Sequence, residues 1–169
     1  MEKKVLSEIA LYTGDVKMPT GFEIDKRFLA LKSLEAGIYD KEFIHSKEWE
    51  KLNNYIREFI DLKFKIGLVN KSSWGNIYAP SETSIPLLNI DPVDLRNSPD
   101  YTLVYVVDCE EDSCELIIEY DDNRRKNRTW HIPIKDNYFI MFPATNKYSF
   151  SPNTSNDLNI ILTINYEYI

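Results

Sequence analysis

The hydrophobic period changes once along this chain, at Gly67, and that switch limits the folds open to it. Before it, Trp49, Leu52, Tyr55, Ile56, Phe59 and Ile60 recur at spacings of three and four, which predicts an amphipathic helix over 47–63. Ser46 is placed to cap it, and Glu48 and Glu50 put negative charge at its amino end, where the helix dipole favours it. After Gly67 the apolar residues return at every second position in short runs, the pattern of strands with unlike faces. The last run is the clearest. Leu158, Ile160, Leu162 and Ile164 alternate with Asn159, Ile161, Thr163 and Asn165.

The same alternation predicts strands over 73–79, 101–108, 114–120, 130–134 and 138–142. In 101–108, Tyr101, Leu103, Tyr105 and Val107 share one face, and Thr102, Val104 and Val106 the other. The run 114–120 reads as its hairpin partner across Glu110–Ser113. A Phe142-Pro143 corner leads to a further short strand, and residues 80–100, with four prolines, form a long irregular loop. Upstream, 5–13 reads as a first strand or extended arm broken by Gly14-Asp15. Asp25 is a candidate cap for a helix that carries Phe28, Leu29, Leu31 and Leu34 and stops at Gly37. Helices followed by about seven short strands make an α+β chain whose strands pack as a sandwich or closed barrel. The length, 169 residues, suits one domain: 1–67 as arm and supporting helices, 68–169 as the β core.

Charge narrows the partners. A net charge of -7 argues against a nucleic-acid backbone, which is bound through Lys and Arg. The only basic cluster, Arg124, Arg125, Lys126 and Arg128, follows Asp121-Asp122 directly and reads as a solvated hairpin tip. No run is long enough for a membrane helix, and the amino end lacks the apolar stretch of a signal peptide. The expected setting is therefore a reducing cytoplasm, in which Cys109 and Cys114 stay as thiols. His45 and His131 read as structural residues. Two histidines give no zinc cluster and no Ser-His-Asp arrangement, and no glycine-rich phosphate loop is present.

Five consecutive pieces carry a family resemblance. They are Ser73-Trp74-Gly75-Asn76-Ile77-Tyr78 before a proline-rich loop, Val104-Tyr105-Val106, Glu115 to Tyr120, the Phe142-Pro143-Ala144 corner, and Ser151 to Ser155 leading into the last strand. In this order they resemble the phage and bacterial branch of the 2-oxoglutarate/Fe(II)-dependent oxygenases, the prolyl-hydroxylase-like group, over roughly residues 70–169. Leu11 to Asp15 extends the match. The resemblance implies a double-stranded β-helix, a jelly-roll or cupin-like sandwich, backed by N-terminal helices.

It also implies an iron centre of two histidines and a carboxylate, and a basic residue that grips the cosubstrate. At the matching positions this chain has Asn89 and Asp91, Tyr148, and Asn159. Three of the four are changed. The resulting expectation is a non-catalytic relative with no cofactor and no metal, a tailed-phage virion or accessory protein that works through protein partners or a homo-oligomer. It would reside in the host cytoplasm or the virion. The alternative is an active or atypical hydroxylase that uses Fe(II) and 2-oxoglutarate, with Asp91 and Tyr148 as ligands. A small-molecule or sugar-binding sandwich that reuses the cleft is a third reading.

Overall fold

The computed structural model describes residues 10–16, 25, 27–28, 31, 47–122 and 125–169. Two antiparallel sheets face each other. The larger has five strands in the order β1 (Tyr12–Asp15), β6 (Tyr138–Pro143), β3 (Tyr101–Asp108), β8 (Asn159–Tyr168) and β2 (Leu68–Tyr78). The smaller has three, in the order β5 (Arg128–Pro133), β4 (Glu115–Tyr120) and β7 (Tyr148–Phe150). Among the described residues one continuous α-helix, α1 (Lys47–Phe64), packs on the outer face of the larger sheet.

The period-2 pattern has a direct physical outcome. On β3 and β8 one set of side chains, Leu103, Tyr105 and Val107 with Ile160, Leu162, Ile164 and Tyr166, packs against Leu52, Ile56 and Ile60 of α1. The alternate set, Val104, Val106 and Ile161, faces the smaller sheet and meets Leu116, Ile118, Ile132, Tyr148 and Phe150. A sheet covered on both sides buries nearly every residue of its central strands, as β3 and β8 do. The α1 contact also holds a buried polar bond, from Tyr166 Oη to Asn53 Oδ1 at 3.0 Å.

Several expectations are corrected. Cys114–Tyr120 is not the hairpin partner of β3. Both neighbours of β3 are already taken, by β6 and β8, so the chain crosses to the other sheet and β4 pairs with β5 and β7. Cys109 and Cys114 therefore do not face each other across a ladder. Gly14-Asp15 does not break the first strand but lies within it, Gly14 opposite Phe139. Glycine is required there, because a Cβ would stand 2.9 Å from the Phe139 ring. Strand β2 starts at Leu68, earlier than the predicted 73, and pairs with β8 almost throughout. Among the described residues the helical backing of the sheet comes from α1. Of the helix expected after Asp25, Arg27, Phe28 and Leu31 are helical, and the Phe28 N–H donates to Asp25 Oδ1 at 2.9 Å as a cap would. Residues 5–9, Ser46, Gly37 and His45 lie outside the described residues, as do the side chains of Glu48 and Trp49.

Candidate functional site

The long loop after β2 returns to the barrel through one short bridge. Leu87 and Tyr148 exchange backbone hydrogen bonds, 2.7 Å from the Leu87 N–H and 3.0 Å from the Tyr148 N–H. This bridge sets Asn89, two residues on, beside the Tyr148 side chain. The Asn89 Nδ2 donates to Tyr148 Oη at 3.2 Å and to Thr102 Oγ1 at 3.0 Å. From Thr102 the chain of bonds continues into the larger sheet: its hydroxyl donates to Asn165 Oδ1 at 3.0 Å, and Asn165 Nδ2 donates to Ser72 Oγ at 3.2 Å. On the other side Tyr148 bonds Thr163, whose hydroxyl accepts from Asn76 Nδ2 at 3.4 Å.

Every member of this network is uncharged. Thr102, Thr163, Asn165 and Tyr148 are buried, so each unmade bond would cost a full desolvation penalty. Burial pushes the Tyr148 hydroxyl up to about 12, against a smaller opposing effect of its bonds with Asn89 and Thr163. At neutral pH it is a phenol, not a phenolate. Its ring is fixed edge-on to Phe142 and Phe150, at 5.3 and 6.4 Å between centroids.

The four sequence positions thus separate. Asn89 and Tyr148 come together. Asp91 does not join them. It is exposed on the loop, its Oδ1 accepting from the Val93 N–H at 2.8 Å and its own N–H donating to Ser98 Oγ at 2.8 Å. Asn159 lies four residues from Thr163 along β8, about 13 Å at the usual rise of a strand. Its Oδ1 accepts from Ser113 Oγ at 3.0 Å, and its fully buried Nδ2 makes no conventional hydrogen bond. The Cys114 thiol, a weak acceptor, is near enough to be affected by that amide. Burial raises the Cys114 thiol to about 11, with the Asn159 amide opposing it. Tyr78 and Phe150, tilted by 39° with centroids 5.0 Å apart, belong to the core between the two sheets.

Five residues of the network were not singled out in the sequence: Ser72, Asn76, Thr102, Thr163 and Asn165. The signal was present, since Thr163 and Asn165 occupy inward positions of a long strand where apolar residues are the norm.

The remaining candidates have ordinary roles. His131 Nδ1 lies 2.9 Å from Glu115 Oε2 on the outer face of the smaller sheet. His45 and Arg124 lie outside the described residues. Lys126 pairs with Asp121 at 3.0 Å and Arg128 with Asp122 at 3.2 Å, so two cations of the basic cluster meet the acids that precede it. Cys109, raised to about 12 by burial and then by Asp136, is a weakly reactive thiol.

No family model and no curated protein sequence matches the chain. Solved structures do. A Pseudomonas putida prolyl-4-hydroxylase superposes with a TM-score of 0.61 at 12% identity, over 93% of this chain and 91% of that one. The viral collagen prolyl hydroxylase of Paramecium bursaria Chlorella virus-1, solved with 2-oxoglutarate, gives 0.58 at 14% identity, over 92% and 94%. A 2OG-Fe(II) oxygenase-family oxidoreductase from Burkholderia pseudomallei gives 0.54 at 10%, over 75% of this chain and 59% of that protein.

The fold is that of the 2-oxoglutarate/Fe(II) oxygenases. The resemblance read from the sequence, and the double-stranded β-helix it implied, both hold. The expectation of a chain with no cofactor does not. The Burkholderia neighbour is a 2OG-Fe(II) oxygenase-family protein and the viral one was solved with 2-oxoglutarate, so these two are the groups against which the residues here are tested.

The usual iron centre does not fit the side chains in place. Asn89 presents its amide nitrogen, a donor, to Tyr148, and Tyr148 is a neutral phenol. Among the described residues no three His, Cys, Asp or Glu side chains converge as metal ligands.

Proposed function

We propose that this protein uses the oxygenase fold without the hydroxylase reaction and acts by binding other proteins, as an accessory or particle component of a tailed phage. The observation that carries the first part is the hydrogen-bonded junction of Asn89 and Tyr148. Two neutral side chains there satisfy each other and continue into Thr102, Thr163, Asn165 and Asn76. A site kept for iron would present lone pairs to a common point instead. The phage setting is supported by the order of the sequence pieces alone.

The test is succinate formation. Purified protein, loaded anaerobically with Fe(II) and 2-oxoglutarate and then exposed to oxygen, should release no succinate above a protein-free control. Release that disappears in Asp91→Ala or Tyr148→Phe would establish the second reading, an atypical hydroxylase. That reading is favoured by near end-to-end superposition on two prolyl hydroxylases.

A further inference from the structure

The edge of a β-sheet is a row of backbone groups open to pairing, and most edges of this fold are covered or guarded. The edge of β7 is taken by the long loop, through the Leu87–Tyr148 bridge and the bond from the Ser84 N–H to the Phe150 carbonyl. In the larger sheet β1 is four residues long and ends at Asp15, and a register shift between Asn70 and Ser72 leaves the charged Lys71 as a bulge on β2. Short edges, bulges and lysines are the usual devices against pairing with another chain. Among the described residues β5 lacks them at its centre. It ends the smaller sheet, and Thr129, Trp130 and His131 are all exposed.

The pairing of β4 shows which backbone groups of β5 are open. The Ser151 N–H donates to the Glu115 carbonyl at 2.9 Å and the Glu119 N–H to the Lys147 carbonyl at 2.8 Å, so the odd-numbered residues of β4 bond toward β7. The Cys114 carbonyl accepts from the Ile134 N–H at 3.1 Å, so the even-numbered residues bond toward β5. Their partners there are Ile132, Trp130 and Arg128. An antiparallel strand turns alternate residues to its two sides. Thr129, His131 and Pro133 therefore turn their backbone groups away from β4. Thr129 and His131 offer an N–H and a carbonyl each, whereas proline has no N–H to offer.

This edge complements itself. A second copy laid antiparallel about a two-fold axis at Trp130 sets Thr129 opposite the partner's His131, and His131 opposite the partner's Thr129. Each pair exchanges two bonds, four in all. The next position sets Pro133 opposite the partner's Asn127, so the ladder stops alike at both ends. Trp130 meets the partner's Trp130 in a non-hydrogen-bonded pair, where side chains approach most closely and aromatic pairs are favourable. Both rings, 57% exposed in the single chain, are then covered. No like charges meet, since Arg128 stands opposite the partner's Ile132, about 13 Å along the strand from the partner's Arg128. A foreign strand would have to match this edge by its own sequence, whereas a second copy matches it by symmetry.

We propose that this protein forms a two-fold dimer by antiparallel pairing of β5 with β5 of a second copy, which joins two three-stranded sheets into one of six strands. The proposal goes beyond the reading above and does not depend on it, because self-pairing asks nothing of the oxygenase cleft. Four backbone bonds and one aromatic pair make a small interface, which suits a weak, reversible contact.

Sedimentation equilibrium of the intact chain tests it, from about 1 μM to about 1 mM, the span of weak to moderate self-affinity. The mass should rise from 19.9 kDa toward twice that value. Over the same span, hydrogen exchange of the Thr129 and His131 amides should slow. Trp130→Glu sets two negative charges face to face on the axis, and Thr129→Pro removes an edge N–H without touching a bond to β4. Each should weaken association at least ten-fold, while Leu62→Glu, at an exposed position on α1, should leave it unchanged. A mass that stays at 19.9 kDa throughout, a dimer that persists in Trp130→Glu, or exchange of the two amides that ignores concentration would each overturn the proposal. So would a dimer lost in Leu62→Glu, which would place the contact on another face. None of these outcomes bears on succinate release, so failure of the dimer is distinguishable from failure of the non-hydroxylase reading.

Discussion

Strands β3 and β8 lie side by side and present two faces of opposite character. The face toward α1 is apolar from Leu103 to Val107 and from Ile160 to Tyr166 apart from its tyrosine hydroxyls, which bond Asn53 from Tyr166 and Asn137 from Tyr105. The face toward the barrel interior carries Thr102, Thr163, Asn165 and Asn159, all buried. Both faces belong to the same strands, so backbone pairing does not account for the difference. The outer face needs only shape and apolar area to hold the helix. The inner face carries the desolvation cost of buried polar atoms, which is met only while each keeps its hydrogen bond.

If this contrast is right, substitutions on the two faces should fail in different ways. Ile56→Ala, at the centre of the helix contact, should cost the most, about 2–5 kcal/mol in urea or thermal unfolding, because it leaves a cavity in an apolar core. Thr102→Val on the inner face should cost about 1–3 kcal/mol although it leaves no cavity, since Asn165 Oδ1 loses its donor and Asn89 an acceptor. A cost as large as that of Ile56→Ala would mean that the inner network is as structural as the helix contact.

Tyr148→Phe should cost less, about 1 kcal/mol at neutral pH, because Asn89 keeps its bond to Thr102. Its effect should depend on pH with a definite sign. A phenol whose folded pKa lies above its unfolded value holds its proton more firmly in the native state. That contribution is whole below the ordinary value of 10.0 and is lost as pH rises through about 12. The wild type should therefore lose stability relative to Tyr148→Phe between those two values. Smallest of all, His131→Ala on the outer face of the smaller sheet should change stability by less than about 0.5 kcal/mol, as exposed ion pairs do.

The two faces were legible to different degrees. The alternation of Ile160, Leu162 and Ile164 with Asn159, Ile161, Thr163 and Asn165 sorted the residues of β8 correctly, because the period of a strand is fixed by its backbone, while Leu158 lies before the strand and is exposed. The resemblance brought Asn89 and Tyr148 to notice, and the structure joins them. Sheet membership was not legible. Residues 101–108 and 114–120 are close in sequence and both alternate, yet they lie in different sheets, since pairing depends on which distant strand takes each edge first. The network was missed for a similar reason. Thr102 precedes Thr163 by 61 positions and Asn89 by contrast lies in a loop, so no local pattern ties them together. The Asx turn in which the Asp91 Oδ1 accepts from the Val93 N–H was not legible either.

The account turns on the state of Tyr148: buried, neutral and bonded to Asn89. Labelling the tyrosine ring carbons with ¹³C at Cζ reports each hydroxyl by NMR, and the Tyr148 signal is the one that vanishes in Tyr148→Phe. The account predicts that this signal stays in its protonated position past pH 10 and titrates at about 12. Titration at or below the ordinary tyrosine value of 10.0 would contradict it, because it would show a cleft open to water and a hydroxyl ready to become a ligand.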